Sequence, residues 1–134
     1  MNKYGLVLGI GADILQSTRI ARLLTKSPSF VSKFSKRILH PTYEYPKLEK
    51  LAQSQQVQYL SGAWCAKEAV FKTLDLPDQK QFEFKSWYRY YDSNGKPYIK
   101  NDMYKHSDEE FHLSISHDDS IVMATVLRQK IINV

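Results

Sequence analysis

Cysteine is almost missing: Cys65 is the only one in 134 residues. No internal disulfide can form, which fits a reducing intracellular compartment, either cytoplasm or mitochondrial matrix. Long apolar runs are missing too. Nothing approaches the roughly 20 residues that span a bilayer, so no membrane partner is expected. The apolar opening, residues 4–14, holds three glycines and Asp13. It lacks the charged start, apolar centre and cleavage site of a secretory signal, and the Arg- and Ser-rich amphipathic helix of a transit peptide. The histidines, His40, His106, His112 and His117, have no metal-ligand spacing, which argues against a zinc site. No internal repeat or low-complexity tract interrupts the chain.

What is present is ordinary globular composition, 43% hydrophobic and 25% charged, in a length that suits one domain over residues 1–134. The net charge is +5 and the pI about 9.2. An acidic partner follows from that: a nucleic acid, an acidic protein or a phosphorylated ligand.

Hydrophobic patterning predicts a strand over residues 4–11, then a helix over about 14–24 with Ile14, Ile20, Leu23 and Leu24 inward. A short helix is expected over 30–39, and another, capped by Thr42, through Leu48 and Leu51, with Pro46 blurring its start. Residues 57–74 carry the strongest helical pattern. At about 100° per residue, Leu60, Ala63, Trp64, Ala66, Val70, Phe71 and Leu74 share one broad face. Pro77 is expected to end that region. An aromatic strand over 82–91, a turn at Asn94-Gly95 and a strand over 97–100 form one hairpin. Residues 111–116, which alternate strictly, and 121–127 form another. The expected class is α+β, a single compact domain with antiparallel hairpins packed on a central helix.

Three constellations stand out. In Gly9-Ile10-Gly11-Ala12-Asp13, positions 9, 11 and 13 share a strand face; two lack side chains and the third is a carboxylate. The bare glycines admit a ligand, or simply a helix packed close, with Asp13 as an end cap. The dinucleotide fingerprint is excluded, because its third glycine is missing. In Trp64-Cys65-Ala66-Lys67-Glu68-Ala69-Val70-Phe71-Lys72, Lys67 sits in mid-stripe, where an unpaired ammonium is costly. The plain alternative has Lys67 snorkelling to water and Glu68–Lys72 as a surface pair. In Ser114-Ile115-Ser116-His117-Asp118, a strand-end histidine suits phosphate binding, or is turn punctuation. Cys65 between Trp64 and Ala66 reads as packing rather than as a nucleophile for His117.

Taken in order, these segments resemble the holo-acyl-carrier-protein synthase type of 4′-phosphopantetheinyl transferase. The series is Gly9–Asp13, Arg19-Ile20, Phe34-Ser35-Lys36-Arg37-Ile38-Leu39, Leu60-Ser61-Gly62, Trp64 to Lys72, Asn94-Gly95-Lys96-Pro97 and Ser114–His117. The resemblance implies the phosphopantetheinyl transferase fold and transfer of 4′-phosphopantetheine from coenzyme A to a serine of apo-acyl carrier protein. It implies Mg²⁺ on Asp13 and Glu68, with Glu68, Lys72 and Asp13 as the catalytic group. Lys72 would reach the diphosphate, Lys67 would support the metal-binding end of its helix and the cofactor, and Ser116 and His117 would contact the nucleotide part of coenzyme A. Arg19 would dock the acidic carrier helix, with Arg22 and Lys26 extending that basic side. A homotrimer with sites between subunits is also implied, so that Asp13 and Glu68 would meet His117 of another chain. Glu68, a metal-bound water and Asp118 all remain open as the base.

This chain departs from the pattern in two places. Ala63 stands where many members carry arginine. Thr73-Leu74-Asp75-Leu76-Pro77 replaces a Gly-Thr-Gly phosphate loop. The divergence hints at a fungal mitochondrial member. Two other readings compete. One is a carrier-binding relative without catalysis. The other is a nucleic-acid module stacking bases on residues 87–91 beside Lys85 and Arg89, although no nucleic-acid motif is present.

Overall fold

The computed structural model describes residues 2–134. They begin with a long edge strand, β1 (Lys3–Gln16). Three helices follow, α1 (Ser17–Leu24), α2 (Pro28–Ile38) and the short α3 (Tyr45–Glu49), and then the long α4 (Gln53–Thr73) and short α5 (Leu76–Lys80). The chain ends in four strands, β2 (Tyr88–Tyr91), β3 (Pro97–Lys100), β4 (Glu109–Asp118) and β5 (Ile121–Asn133). All the pairings are antiparallel, and the sheet order is β1-β5-β4-β3-β2. The first strand therefore crosses over to lie beside the last.

The expected α+β class and the two hairpins are present. Helix α4 lies across β1 and β5. Its Leu60, Ala63, Ala66, Ala69 and Val70 meet Leu15, Leu113, Val122, Ala124 and Val126 of the sheet in one buried core. The small residues of α4 let the helix sit close, and each large aliphatic buried there contributes roughly 1.5–3 kcal/mol.

Local chemistry explains most element ends. Ser27 caps α2, its hydroxyl accepting from the Phe30 N–H at 3.2 Å, with Pro28 in the first turn. The β2–β3 turn puts Gly95 at φ +82°, and the Asp92 carboxylate accepts from the Asn94 and Lys96 N–H groups, each at 2.9 Å. Asp119, at φ 52°, makes the β4–β5 turn.

Several expectations are corrected. The first strand does not stop at residue 11; it continues through Asp13 and Ile14 to Gln16, because β5 offers it partners out to the Gln16–Ile121 pair. Ile14, expected inward on a helix, points out of the sheet and is 66% exposed. A long pairing partner overrode a weak helical pattern. Pro77 does not end a helix but opens α5, where a first-turn proline loses no hydrogen bond. The helix after Thr42 contracts to α3, with Pro46 in its first turn, and α4 starts earlier, at Gln53. Of residues 82–91 only the last four form a strand. Phe82, Phe84 and Trp87 instead build an aromatic cluster around a 3-10 turn (Phe84–Ser86). Trp87, Tyr88 and Arg89 are buried, which leaves only Tyr90 and Tyr91 of that aromatic stretch open to solvent.

Candidate active site at the seam of β1 and α4

The face of β1 that carries Gly9, Gly11, Asp13 and Leu15 looks toward α4. The two glycines are needed there. A β-carbon at Gly11 would run into the Ala69 carbonyl oxygen, and one at Gly9 would lie 2.7 Å from that of Thr73. Strand and helix backbones thus touch, and Asp13, two residues on, is set against the side chains that α4 presents at the same level.

Those side chains are Cys65, Glu68 and Lys72. The Lys72 ammonium donates to Asp13 Oδ1 at 3.1 Å and to the Ala12 carbonyl at 2.8 Å. Its side chain is 47% exposed and that of Asp13 17%. Lys72 therefore pairs with Asp13, across the seam, rather than with Glu68 on its own helix. Glu68 is half-buried and its carboxyl is held above the usual carboxylate range, first by burial and next by the negative charge of Asp13, with Lys72 partly opposing both. Two carboxylates and one ammonium thus share a partly open seam.

Hard carboxylate oxygens from two residues suit Mg²⁺, which keeps several waters and takes substrate phosphates as further ligands. No cluster of three or more His, Cys, Asp and Glu side chains is found among the described residues, so the pair would need such outside oxygens. The crowding that lifts Glu68 is the strain a divalent cation would relieve. The Asp13–Glu68 pair therefore fits the metal.

Cys65 takes no part in nucleophilic chemistry. Its thiol is buried and donates to the Val122 carbonyl at 3.6 Å. Burial, with Asp13 close by, pushes it up to about 12.

Lys67 requires a correction. It neither snorkels nor reaches a cofactor; its side chain is 0% exposed. Its ammonium donates to Glu44 Oε1 and to the Ile38 carbonyl, both at 2.5 Å. Glu44, also 0% exposed, accepts in addition from the N–H of His40 at 2.9 Å and of Arg89 at 3.0 Å. Burial lowers Lys67 to about 8 in spite of Glu44. The expectation missed Glu44. A lysine in the middle of an apolar stripe was the available signal, since it demands a buried acid.

Ser116 and His117 part company. On β4, Leu113, Ile115 and His117 share the face that looks toward α4, while Ser114 and Ser116 lie on the other. Asp13 pairs with Ala124, which pairs with Ile115, two residues short of His117. Two strand spacings and two residues put Asp13 and His117 roughly 12 Å apart within one chain. Ser116 and the Asp13 seam are on opposite sides of the sheet.

Arg19, Arg22 and Lys26 are all exposed, and none forms an ion pair among the described residues. Lys26 instead lies 4.7 Å over the Phe30 ring. In the departing segment, Leu76 and Pro77 open α5, and Asp75 accepts from Arg128 at 3.2 Å.

The family described as the 4′-phosphopantetheinyl transferase superfamily matches residues 9–126. The chain belongs to that superfamily. Among similar transferases, the holo-[acyl-carrier-protein] synthase of Anoxybacillus flavithermus is 31% identical, over 94% of this chain and 98% of its own length. That of Geobacillus kaustophilus is 33% identical, over 94% and 92%. A relative from Schizosaccharomyces pombe is 30% identical, over 90% and 94%. Of solved structures, the Bacillus anthracis holo-(acyl-carrier-protein) synthase in complex with CoA (3′,5′-ADP) superposes with a TM-score of 0.76. It is 29% identical, over 92% of this chain and 97% of that one. The Neisseria meningitidis synthase gives 0.76 at 27% identity, over 93% and 100%.

Proposed function

We propose that this transferase moves 4′-phosphopantetheine from coenzyme A to a serine of apo-acyl carrier protein, with Asp13 and Glu68 holding Mg²⁺. The products are holo-acyl carrier protein and 3′,5′-ADP. The observation that carries the reading is the seam itself: Asp13, Glu68 and Lys72 stand together on β1 and α4 in a chain of this superfamily. Mg²⁺, when bound, would neutralise charge on the diphosphate. Lys72, partly exposed on Asp13, is placed to turn to the same diphosphate and stabilise the departing 3′,5′-ADP.

The unpaired cations of α1, Arg19 and Arg22 with Lys26 beyond, form the docking surface for an acidic carrier helix. The surrounding chain supports this. Residues 1–50 hold nine Lys and Arg against three acids, and residues 51–134 hold ten against eleven.

The active assembly is a homotrimer in which His117 of one chain, with Ser116 beside it in sequence, faces the Asp13–Glu68 seam of the next. The support is a long edge strand, β1, whose Val7, Ile10 and Ile14 remain exposed and which has a free edge. No described helix is long and apolar enough to cross a membrane. The single buried, unpaired cysteine supports an intracellular site of action, mitochondrial matrix or cytoplasm.

The test is mass spectrometry of an apo-acyl carrier protein incubated with the protein, coenzyme A and Mg²⁺, beside an EDTA control and Glu68→Ala. A gain of the phosphopantetheine mass, abolished in both controls, is expected. Binding of several apo carriers without any mass gain would instead make this chain a non-catalytic carrier-binding relative.

A further inference from the structure

The Arg89 side chain lies outside the seam, yet its surroundings are built. It is 5% exposed, on β2, and its guanidinium lies over Gly62 of α4, where a β-carbon would come within 2.6 Å of Nη1. Nη2 donates to the Tyr59 carbonyl at 3.0 Å and Nη1 to the Tyr91 hydroxyl at 3.4 Å. Nε is buried with no hydrogen-bond partner. A guanidinium has five N–H donors, so most of this one's capacity is unspent.

The charges around it do not balance. Glu44 serves both Lys67, in direct contact, and Arg89, whose Nε is 3.9 Å from Oε2. One buried carboxylate thus faces two buried cations. Leaving a cation short of partners inside a protein is costly, and an anion from outside would complete the set.

Arg89 also lines a cavity of about 520 Å³ between the first half of α4 and the end of the sheet, with Gln55, Gln58, Tyr59, Tyr91 and His117 on its walls. None of its described lining residues is acidic. His117 has no hydrogen-bond partner among the described residues there. A forked cation, a free imidazole, side-chain amides and tyrosine rings suit a phosphate monoester attached to a nucleoside.

We infer that Arg89 is a specificity-determining residue that receives the phosphate monoester on the ribose of coenzyme A. The inference rests on the proposed use of coenzyme A. Arg89 then supplies, from β2, a guanidinium over Gly62, the residue that precedes Ala63 on α4. The fork distinguishes coenzyme A from its dephosphorylated form, while the seam acts on the diphosphate.

The experiment compares binding of adenosine 3′,5′-bisphosphate and of AMP, which lacks the 3′-phosphate, by calorimetry. It uses the full chain and the variants Arg89→Gln and Gly62→Ala. Gly62→Ala keeps the arginine but pushes its guanidinium aside, and alanine is a better helix former, so this variant serves if Arg89→Gln fails to fold. The native chain should prefer the bisphosphate by roughly tenfold or more. Both variants should bring that ratio near one and leave AMP binding unchanged. A folded variant with the native ratio overturns the inference. Thermal unfolding in inorganic phosphate against chloride at equal ionic strength reads the anion pocket without coenzyme A. Protection lost in Gly62→Ala supports the pocket even if carrier modification fails. Protection with a native ratio of one overturns the coenzyme A assignment, and no protection together with no preference overturns the whole.

Discussion

Helix α4 carries two lysines, Lys67 and Lys72, and each ends on a carboxylate from another element. Lys72 meets Asp13 at 3.1 Å with nearly half its side chain in water. Lys67 meets Glu44 in full burial, where Glu44 accepts from three elements at once. The same kind of charge pair has different physical meanings in the two places. The buried pair locks the turn before α3, the helix and β2 together, and neither charge can leave without exposing the other to an apolar interior. The seam pair is held loosely, sits beside a second carboxylate with no cation of its own, and can exchange partners when a ligand arrives. The proposed function uses the pair that can be rearranged; the fold depends on the pair that cannot.

The largest way to break that contrast is Lys67→Ala. It leaves Glu44 charged and buried, and should cost about 3–5 kcal/mol of stability by denaturant unfolding. The double replacement Lys67→Met with Glu44→Gln should lose far less, since no charge is then stranded. Equal losses in the two variants would mean that the pair matters for its packing alone.

Glu68→Ala comes next and acts in the opposite sense. Carrier modification should fall by roughly 10²-fold or more, while the protein stays folded. Stability should even rise at neutral pH in the metal-free protein. The carboxyl of Glu68 is raised in the folded state, so between its unfolded and folded values the folded chain holds more protons than the unfolded chain. Stability must then fall as pH rises through that window. Glu68→Gln should flatten this limb of a melting-temperature profile; an unchanged profile would deny the crowding by Asp13.

Gly11→Ala sharpens the comparison by moving the seam without touching its charges. The new β-carbon would meet the Ala69 carbonyl, and overpacking of this kind costs about 1–3 kcal/mol. Asp13 should shift with the strand, so carrier modification should fall further than the stability loss alone explains. Lys72→Ala should change stability little, by under about 1 kcal/mol for a pair this exposed, yet lower kcat more than KM for coenzyme A. Arg19→Glu should leave stability and coenzyme A binding alone and raise KM for the carrier several-fold, with a weaker dependence on salt.

Much of the architecture could be read along the chain. Asn94-Gly95 marked one hairpin, the strict alternation around Leu113 marked a strand, and the apolar face from Leu60 to Leu74 marked the central helix, because each is a local pattern whose period the backbone enforces. Asp13, Glu68 and Lys72 were legible as a set through the order of motifs. Helix α1 was placed too early because Ile14 has helical spacing to Leu24, and only β5, more than a hundred residues later, holds that stretch extended. The role of Lys67 was misread because its partner, Glu44, sits in an irregular segment with no period to betray it.

Residue order alone thus settles the class, the helix that carries Glu68 and the two lysines, and the turn chemistry, since propensity and period act between near neighbours. Which lysine is sealed in and which is open, how far His117 lies from Asp13, and where Arg89 ends depend on elements far apart in the chain. Burial and charge pairing are properties of the packed whole. They arise only when β1 crosses to β5 and α4 closes over both.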